Sequence, residues 1–159
     1  MTVTQFSKML LNLSAMLDLA VAHGEAKKFD PAVLLTSRLA PDQFTFLRQV
    51  QIACDTAQVG VARLTGLEAP AHENHEATID ELRARIEGTV AWLAAVSPDA
   101  FATAVDQHVT QPRWAGKWLT GGEFATVHMI PNFYFHVTTA YSILRLNGVD
   151  VGKRAYLGA

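Results

Sequence analysis

The sequence predicts an all-α protein that folds as a four-helix bundle, and three observations support this. Apolar residues recur every three or four positions in four long segments, as they do along helices with one buried face. Three of those segments open with Thr followed three residues later by Glu or Gln, the pattern that caps a helix start. The connecting segments allow neighbouring helices to run antiparallel, which is a common arrangement in bundles.

The first two helices are predicted from apolar spacing and from signals at their ends. The first opens with a capping box at Thr2 and has Gly24 as its end. The second begins at Pro41, a residue that suits the first helical position, and ends at Gly66. Residues 27–39 form a short connector between them.

The last two helices each follow a capping box. Thr78 and Glu81 start the third helix, and a second box at Thr120 starts the fourth, which runs to Gly148. Between them, residues 105–119 are predicted to form a short irregular or hairpin-like excursion. The residues after the fourth helix show no regular pattern.

Composition limits the classes of function. The chain has 159 residues, half of them apolar, which predicts a single domain over residues 1–159. A net charge of -2 without a basic stripe disfavours nucleic acid and anionic membranes as partners. No apolar run reaches the roughly twenty residues that span a bilayer. The single cysteine, Cys54, is predicted to be a buried, inert thiol, so we expect a cytoplasmic protein.

Two polar features near the third helix are predicted to face solvent. Residues 72–76, HENHE, lack the pair of histidines four residues apart that zinc-protease helices carry, and Pro70 disfavours a helix. We therefore expect a solvated loop. Glu81 and Arg85 are predicted to form an ion pair on the exposed face of the helix.

The fourth helix carries the candidate site. His128, Asn132 and His136 fall within an arc of about 80° on one side of it. Pro131 removes the hydrogen bond to the carbonyl of Val127 and predicts a kink between the two histidines. Such a kink either widens the space between helices or only adjusts their packing.

Helix geometry limits which of these residues share a metal ion. His128 and His136 lie about 12 Å apart along the axis, so one ion does not reach both. Asn132 and His136 are one turn apart, and Asp55 of the second helix is the best carboxylate to join them. The sequence thus predicts a metal site of His136, Asn132 and Asp55. In the structural alternative, His136 donates a hydrogen bond to a buried carboxylate or carbonyl.

His128, Gln51 and Trp118 are predicted to line a pocket beside that site. Gln51 lies four residues before Asp55 among apolar neighbours. Trp118 lies in the excursion, where a tryptophan either walls a pocket or covers the end of the core.

Two motifs stand near the end of the chain, PNFYFH-x4-Y-x2-LR-x-NG at residues 131–148 and G-K-x2-Y-L-G at residues 152–158. They resemble a bacterial family of unknown function in the DinB/YfiT-like superfamily. Residues 49–55 and 78–86 agree with the same family. The resemblance implies a four-helix bundle with a long crossover, often a homodimer.

In that superfamily, three histidines commonly bind a divalent metal such as zinc or nickel, and some members are thiol-dependent transferases. One histidine comes from the second helix and two form an HxxxH pair on the last. Here His136 takes the second position of the pair and Asn132 the first. The second-helix histidine has no counterpart, and the polar residues near that position are Gln51 and Asp55.

Two functions follow from the sequence. One is a small-pocket, metal-dependent or thiol-dependent enzyme with a degenerate metal site at His136. The other is a non-catalytic, dimeric bundle that binds a small-molecule ligand between its helices or has a structural role.

Overall fold

The computed structural model describes residues 2–159 and is mainly helical. Its α-helices are α1 (Thr2–Lys27), α2 (Phe46–Thr65), α3 (Ile79–Ala95), α4 (Gly121–Glu123), α5 (Ile130–Leu146) and α6 (Lys153–Leu157). A π-helical turn, Phe124–Met129, joins α4 to α5. Among residues 2–159, no helix combines the length and the apolar character that crossing a bilayer requires.

The four long helices form the bundle in the spatial order α1, α3, α2, α5. This order follows from the contacts of α1 with α3, α3 with α2, α2 with α5, and α5 with α1. Helices consecutive in the chain, α1 and α2, therefore lie across the bundle from each other, and residues 28–45 make the crossover. The predicted four-helix bundle with a long crossover is confirmed.

One apolar cluster fills the space between the helices. Its large, fully buried side chains include Phe6 of α1, Phe46 of α2 and Phe133 of α5. The rings of Phe6 and Phe133 lie 4.2 Å apart between centroids. Burial of a side chain of this size contributes roughly 1.5–3 kcal/mol, so this cluster fixes the spacing of α1, α2 and α5.

Cys54 lies inside the same cluster. Its side chain is fully buried and forms no disulfide. Burial raises the pKa of the Cys54 thiol to about 12. The thiol is therefore protonated at neutral pH, and it is a packing residue, as the sequence predicts.

The start of α2 differs from the prediction. The helix begins at Phe46 instead of Pro41, because the Thr45 side chain accepts a hydrogen bond from the Arg48 amide and caps the helix there. The predicted end is confirmed: Gly66 has φ 72°, a conformation that favours glycine.

The capping boxes of α3 and α4 are confirmed. The Thr78 hydroxyl accepts a hydrogen bond from the Glu81 amide, and the Glu81 carboxylate accepts one from the Thr78 amide. Thr120 and Glu123 repeat this pair of bonds at the start of α4. Each box satisfies backbone amides that the first helical turn leaves free.

The predicted excursion is a small hairpin. Strand β1 (His108–Thr110) pairs antiparallel with β2 (Trp118–Thr120). A short 3₁₀ turn, Pro112–Trp114, connects the strands. The hairpin packs at the end of the bundle where α4 begins, and it brings polar side chains over the groove between α2 and α5.

The two terminal elements are longer than the sequence predicts. α1 continues past Gly24 to Lys27. The tail contains α6, which packs on α1 and is fixed there by a hydrogen bond of 3.0 Å from the Asn12 amide to the Tyr156 carbonyl. The prediction of an irregular tail is wrong, because α6 is stabilised by these tertiary contacts and has little periodicity of its own.

The predicted irregularity at Pro131 is a π-helical turn directly before it. Pro131 has no amide hydrogen, so the helix cannot keep its regular bonding at this point. The wider turn brings Met129 against Gly60 of α2, where an added Cβ would overlap the Met129 side chain. π-Helical turns often occur at functional sites, and this one adjoins the cavity described below.

Candidate functional site

His136 is buried on α5 and is hydrogen-bonded to Gln49 of α2. The distance from His136 Nδ1 to Gln49 Oε1 is 2.6 Å. The Gln49 amide nitrogen donates to the Phe44 carbonyl, so the Gln49 oxygen faces the imidazole and His136 Nδ1 is the donor. This is the geometry of the structural alternative, with a side-chain carbonyl as the acceptor.

The surroundings of His136 favour the neutral imidazole. Burial, and after it the positive charge of Arg48, lowers the pKa of His136 to about 4. Its Nδ1 proton is held by Gln49, which leaves the lone pair on Nε2. At neutral pH His136 is an uncharged residue that links α5 to α2.

Asn132 forms the second polar link between the same two helices. Its amide nitrogen donates to the Thr56 hydroxyl at 2.9 Å. Asn132 lies one turn before His136 on α5, and Thr56 lies two turns after Gln49 on α2, so the helices run antiparallel here. Two neutral pairs, His136 with Gln49 and Asn132 with Thr56, thus link α5 to α2.

Asp55 belongs to a different group of side chains. Its carboxylate pairs with the Arg85 guanidinium of α3, which is 5% exposed, and lies 3.9 Å from Arg48. Arg85 also pairs with Glu76 at 3.0 Å. We call the residues Arg48, Gln51, Asp55, Glu76 and Arg85 the ionic ring.

Gln51 closes the ionic ring. Its amide nitrogen donates to Glu76 at 2.8 Å, and its oxygen accepts from Arg48 at 3.1 Å. Burial alone would raise the pKa of Glu76, but hydrogen bonds from the backbone and Gln51, together with the charge of Arg85, hold that pKa below its usual range. Gln51 therefore has a structural partner and does not line the cavity described below.

One prediction about exposed polar residues is wrong, and a second is confirmed only in part. Arg85 does not pair with Glu81 on the surface; it points inward to Asp55 and Glu76. The loop containing HENHE is not wholly solvated, because Glu76 joins the ionic ring and His72 lies 2.9 Å from the Gln58 side chain of α2. Local spacing predicts helix α3, but it does not predict that the Arg85 side chain points towards the interior.

The three predicted metal ligands do not form a donor set that fits an ion. His136 is paired with Gln49, Asn132 with Thr56, and the Asp55 carboxylate with arginine. Within residues 2–159, no group of three or more His, Cys, Asp and Glu side chains could hold a metal. A cation beside Asp55 would also have to displace the charge of Arg85.

A cavity of about 180 Å³ lies between α2 and the segment from α4 to α5. We call it the α2–α5 cavity. Its polar lining residues are Asp55, Thr56, Arg63, Gln111, Arg113, His128 and Asn132. Ile52, Val59, Phe124 and Met129 provide apolar walls. The volume corresponds to that of about six water molecules, so the cavity suits a small ligand.

His128 lies at the hairpin side of the cavity and is held by its neighbours. Its ring is 5.2 Å from Trp114 and 5.6 Å from Phe124 between centroids. The Arg113 Nη2 atom lies 3.2 Å from His128 Nε2. Burial, with the charges of Arg113 and Arg63, lowers the pKa of His128, so Nε2 accepts the hydrogen bond from Arg113.

The structure brings only some of the predicted residues together. Asp55, Asn132 and His128 line the α2–α5 cavity. His136 and Gln51 do not line it. Trp118 is 51% exposed and stacks on His108 at 3.6 Å. It does not line the α2–α5 cavity, but it lines a second, more open cavity at the hairpin together with His128.

Four polar residues of the cavity were not predicted from the sequence: Thr56, Arg63, Gln111 and Arg113. Thr56 and Arg63 follow helical spacing with Gly60 between them, which is a weak signal for a polar face beside a close helix contact. Gln111 and Arg113 come from the hairpin, and their approach to α2 depends on tertiary packing that local patterns do not encode.

The fold is that of a DinB-like helical bundle. A crystal structure of a DinB family member protein from Shewanella denitrificans is 60% identical to it, and the match covers 99% of this chain and 89% of that chain with a TM-score of 0.96. A family described as a domain of unknown function, DUF1993, matches residues 1–157. The chain belongs to the DUF1993 family. No curated protein matches it.

Proposed function

We propose that this protein is a metal-independent bundle that binds a small molecule in the α2–α5 cavity. The observation that carries the proposal is the contrast between two adjacent regions. The His136 and Asn132 side chains are hydrogen-bonded to Gln49 and Thr56 of α2, whereas Arg63 and Gln111 line a space of ligand size and have no side-chain hydrogen-bond partner within residues 2–159.

The enzyme alternative has less support from these side chains. A metal-dependent or thiol-dependent reaction at His136 requires the histidine to exchange Gln49 for a metal or a substrate. A general base works best with a pKa near the working pH, and the pKa of His136 is about 4. Cys54 offers no thiolate for a reaction.

The proposal is tested by nuclear magnetic resonance with a panel of small neutral, anionic and cationic compounds. We expect at least one compound to shift the amide resonances of Thr56, Arg63 and Asn132 in a saturable way. Val59→Phe, which fills the cavity, should abolish that binding. Val33→Phe is the matched control, because Val33 is 56% exposed outside the cavity.

Two results would contradict the cavity proposal. One is a panel without any binder at these residues. The other is a ligand that binds Val59→Phe as tightly as the natural protein while circular dichroism shows both to be folded.

We also propose that the protein is a homodimer. Leu39 and Phe135, 44% and 54% exposed, line one groove on the outer surface, and an apolar patch of this kind suits a self-complementary contact. Light scattering should give a dimer mass for the natural protein and a monomer mass for Phe135→Glu. Val33→Glu should remain dimeric, and a monomer mass for the natural protein at micromolar concentration would refute the proposal.

We further propose that the protein is cytoplasmic and consists of a single domain. The free and fully buried Cys54 suits a reducing compartment. The apolar cluster that runs through all four long helices suits one domain over residues 1–159.

A further inference from the structure

We propose that the α2–α5 cavity binds the oxyanion group of a small anionic molecule, a carboxylate or a phosphate, through Arg63 and Arg113. This inference rests on the proposed function and names the chemical class of its ligand. It follows from the charge balance of the cavity, the hydrogen-bond donors in it and its size.

The charge balance of the site leaves Arg63 and Arg113 uncompensated. Asp55, the carboxylate in the lining of this cavity, is already paired with Arg85 and approached by Arg48. Within residues 2–159, neither Arg63 nor Arg113 forms an ion pair with a carboxylate. Two guanidinium groups therefore line one cavity with no negative partner.

The two arginines also act on each other. Burial, followed by the charge of Arg113, lowers the pKa of Arg63. Arg63 nevertheless stays protonated, because a guanidinium does not lose its proton at neutral pH. An anion between them would relieve the repulsion, which is the usual reason for paired arginines at carboxylate and phosphate sites.

The Asp55 carboxylate does not neutralise the positive charges of Arg63 and Arg113. Asp55 lies eight residues before Arg63 on α2, which places it about 12 Å away along the helix axis. Its carboxylate faces Arg85 on α3. The cavity thus has a compensated end at Asp55 and a positive end at Arg63 and Arg113.

Neutral groups at the positive end add hydrogen-bonding capacity. Gln111 is 8% exposed, lines the cavity and has no hydrogen-bond partner for its amide within residues 2–159. Arg113 donates one hydrogen bond to the neutral His128. A guanidinium has five N–H donors in all, so the other four remain for a ligand. Because His128 is packed against Trp114 and Phe124, this bond orients the exposed Arg113 side chain.

The size of the cavity selects among anions. About 180 Å³ accommodates a small molecule with an oxyanion at one end and an apolar part against Ile52 and Val59. It is smaller than the roughly 300 Å³ at which drug-sized sites begin. Together with the net charge of -2, this disfavours a polyanion such as nucleic acid.

Binding is tested by resonance titration of the natural protein with inorganic phosphate and, separately, with acetate, each against sodium chloride of equal ionic strength. We expect saturable shifts at Arg63, Gln111 and His128 with at least one of the two salts. The preferred salt distinguishes a phosphate from a carboxylate ligand.

Four variants make the test specific. Arg63→Ala and Arg113→Ala should each raise the Kd at least about tenfold, because each removes charge-assisted hydrogen bonds. Arg154→Ala removes the same charge from the exposed surface of α6 and should leave the Kd unchanged. Arg63→Lys keeps the charge without the forked geometry and should bind with intermediate affinity.

The inference is overturned if neither salt gives saturable shifts, or if Arg154→Ala weakens binding as much as the two cavity variants do. Its failure is separable from failure of the proposed function. Neutral or cationic compounds that bind the cavity, with no response to phosphate or acetate, would keep the cavity as a binding site and remove the anion.

Discussion

At the scale of single residues, the role of His136 depends on the side chain to which it is hydrogen-bonded. The sequence predicts His136 as the best-placed residue of the fourth helix, and the structure finds it buried with Gln49 as its partner. The sequence alone could not identify that partner, because Gln49 is 87 positions away and Gln51 and Asp55 fit the spacing equally well. A polar residue on a helix face can be predicted, but its contact across the bundle depends on how the helices rotate.

Apolar substitutions at the His136–Gln49 pair should not be additive. His136→Leu alone leaves the Gln49 oxygen without its donor, which should cost about 1–3 kcal/mol in the free energy of unfolding. Combining it with Gln49→Leu removes both polar groups, so the double variant should lose less than the sum of the two single losses. Urea denaturation of the four proteins measures this, and strictly additive losses would show that the two side chains are not coupled.

The lowered pKa of His136 also predicts that the free energy of unfolding depends on pH. This pKa is about 4 in the folded protein, below the ordinary value of 6.5, so the unfolded chain binds more protons between these values. Stability is therefore fully present above about pH 6.5 and falls as the pH drops towards 4, by up to about 3 kcal/mol.

The same double variant provides the control for this pH effect. Other acids and histidines titrate in both proteins and cancel in the difference between them. The natural protein should lose more stability than the Gln49→Leu, His136→Leu protein between neutral pH and about pH 4.5. Parallel losses in the two proteins would show that His136 does not carry the effect.

At the scale of elements, the capping boxes and the hairpin were predictable because their signals are local. Thr78, Thr120 and their glutamates cap helices in the structure as the pattern requires. Pro41 was misleading because the nearby Thr45 forms the actual cap. The approach of the hairpin to α2 was not predictable, because it depends on a close contact between the start of α4 and Ala104.

Gly121 makes that close contact possible. An added Cβ there would overlap the Ala104 carbonyl oxygen, which is backbone and has little room to move. Gly121→Ala should therefore destabilise the protein by about 1–3 kcal/mol and shift the hairpin away from the cavity. Gly88→Ala, in open space on α3, should be stabilising by about 0.5–1 kcal/mol. Thermal unfolding of both variants compares them directly, and equal effects would contradict the contact.

At the scale of the whole molecule, the ionic ring joins α2, α3 and the loop between them. The four-helix arrangement itself was predictable, since it follows from the apolar faces and from segment lengths. The ring was not, because the Glu81–Arg85 spacing suggested a surface pair. Within the ring, the Asp55 carboxylate is paired with arginine, and it is therefore not available to a metal.

Replacing Arg85 tests whether the ionic ring stabilises the fold. Arg85→Leu leaves Asp55 and Glu76 without their shared partner and should cost about 3–5 kcal/mol. Arg83→Leu is the matched control, because Arg83 pairs with Asp18 at 2.6 Å at the surface and such pairs contribute about 0–1 kcal/mol. Chemical denaturation should show this difference, and similar losses for the two variants would mean that the ring is not a structural element.

We propose that the protein binds a small molecule in the α2–α5 cavity without a metal at His136. The most direct test is a resonance titration of untagged protein dialysed against EDTA, first with the compound panel and then with zinc. We predict that compounds bind before zinc is added and that the shifts centre on Thr56, Arg63 and Asn132. Shifts that occur only after zinc is added and centre on His136 would contradict the claim.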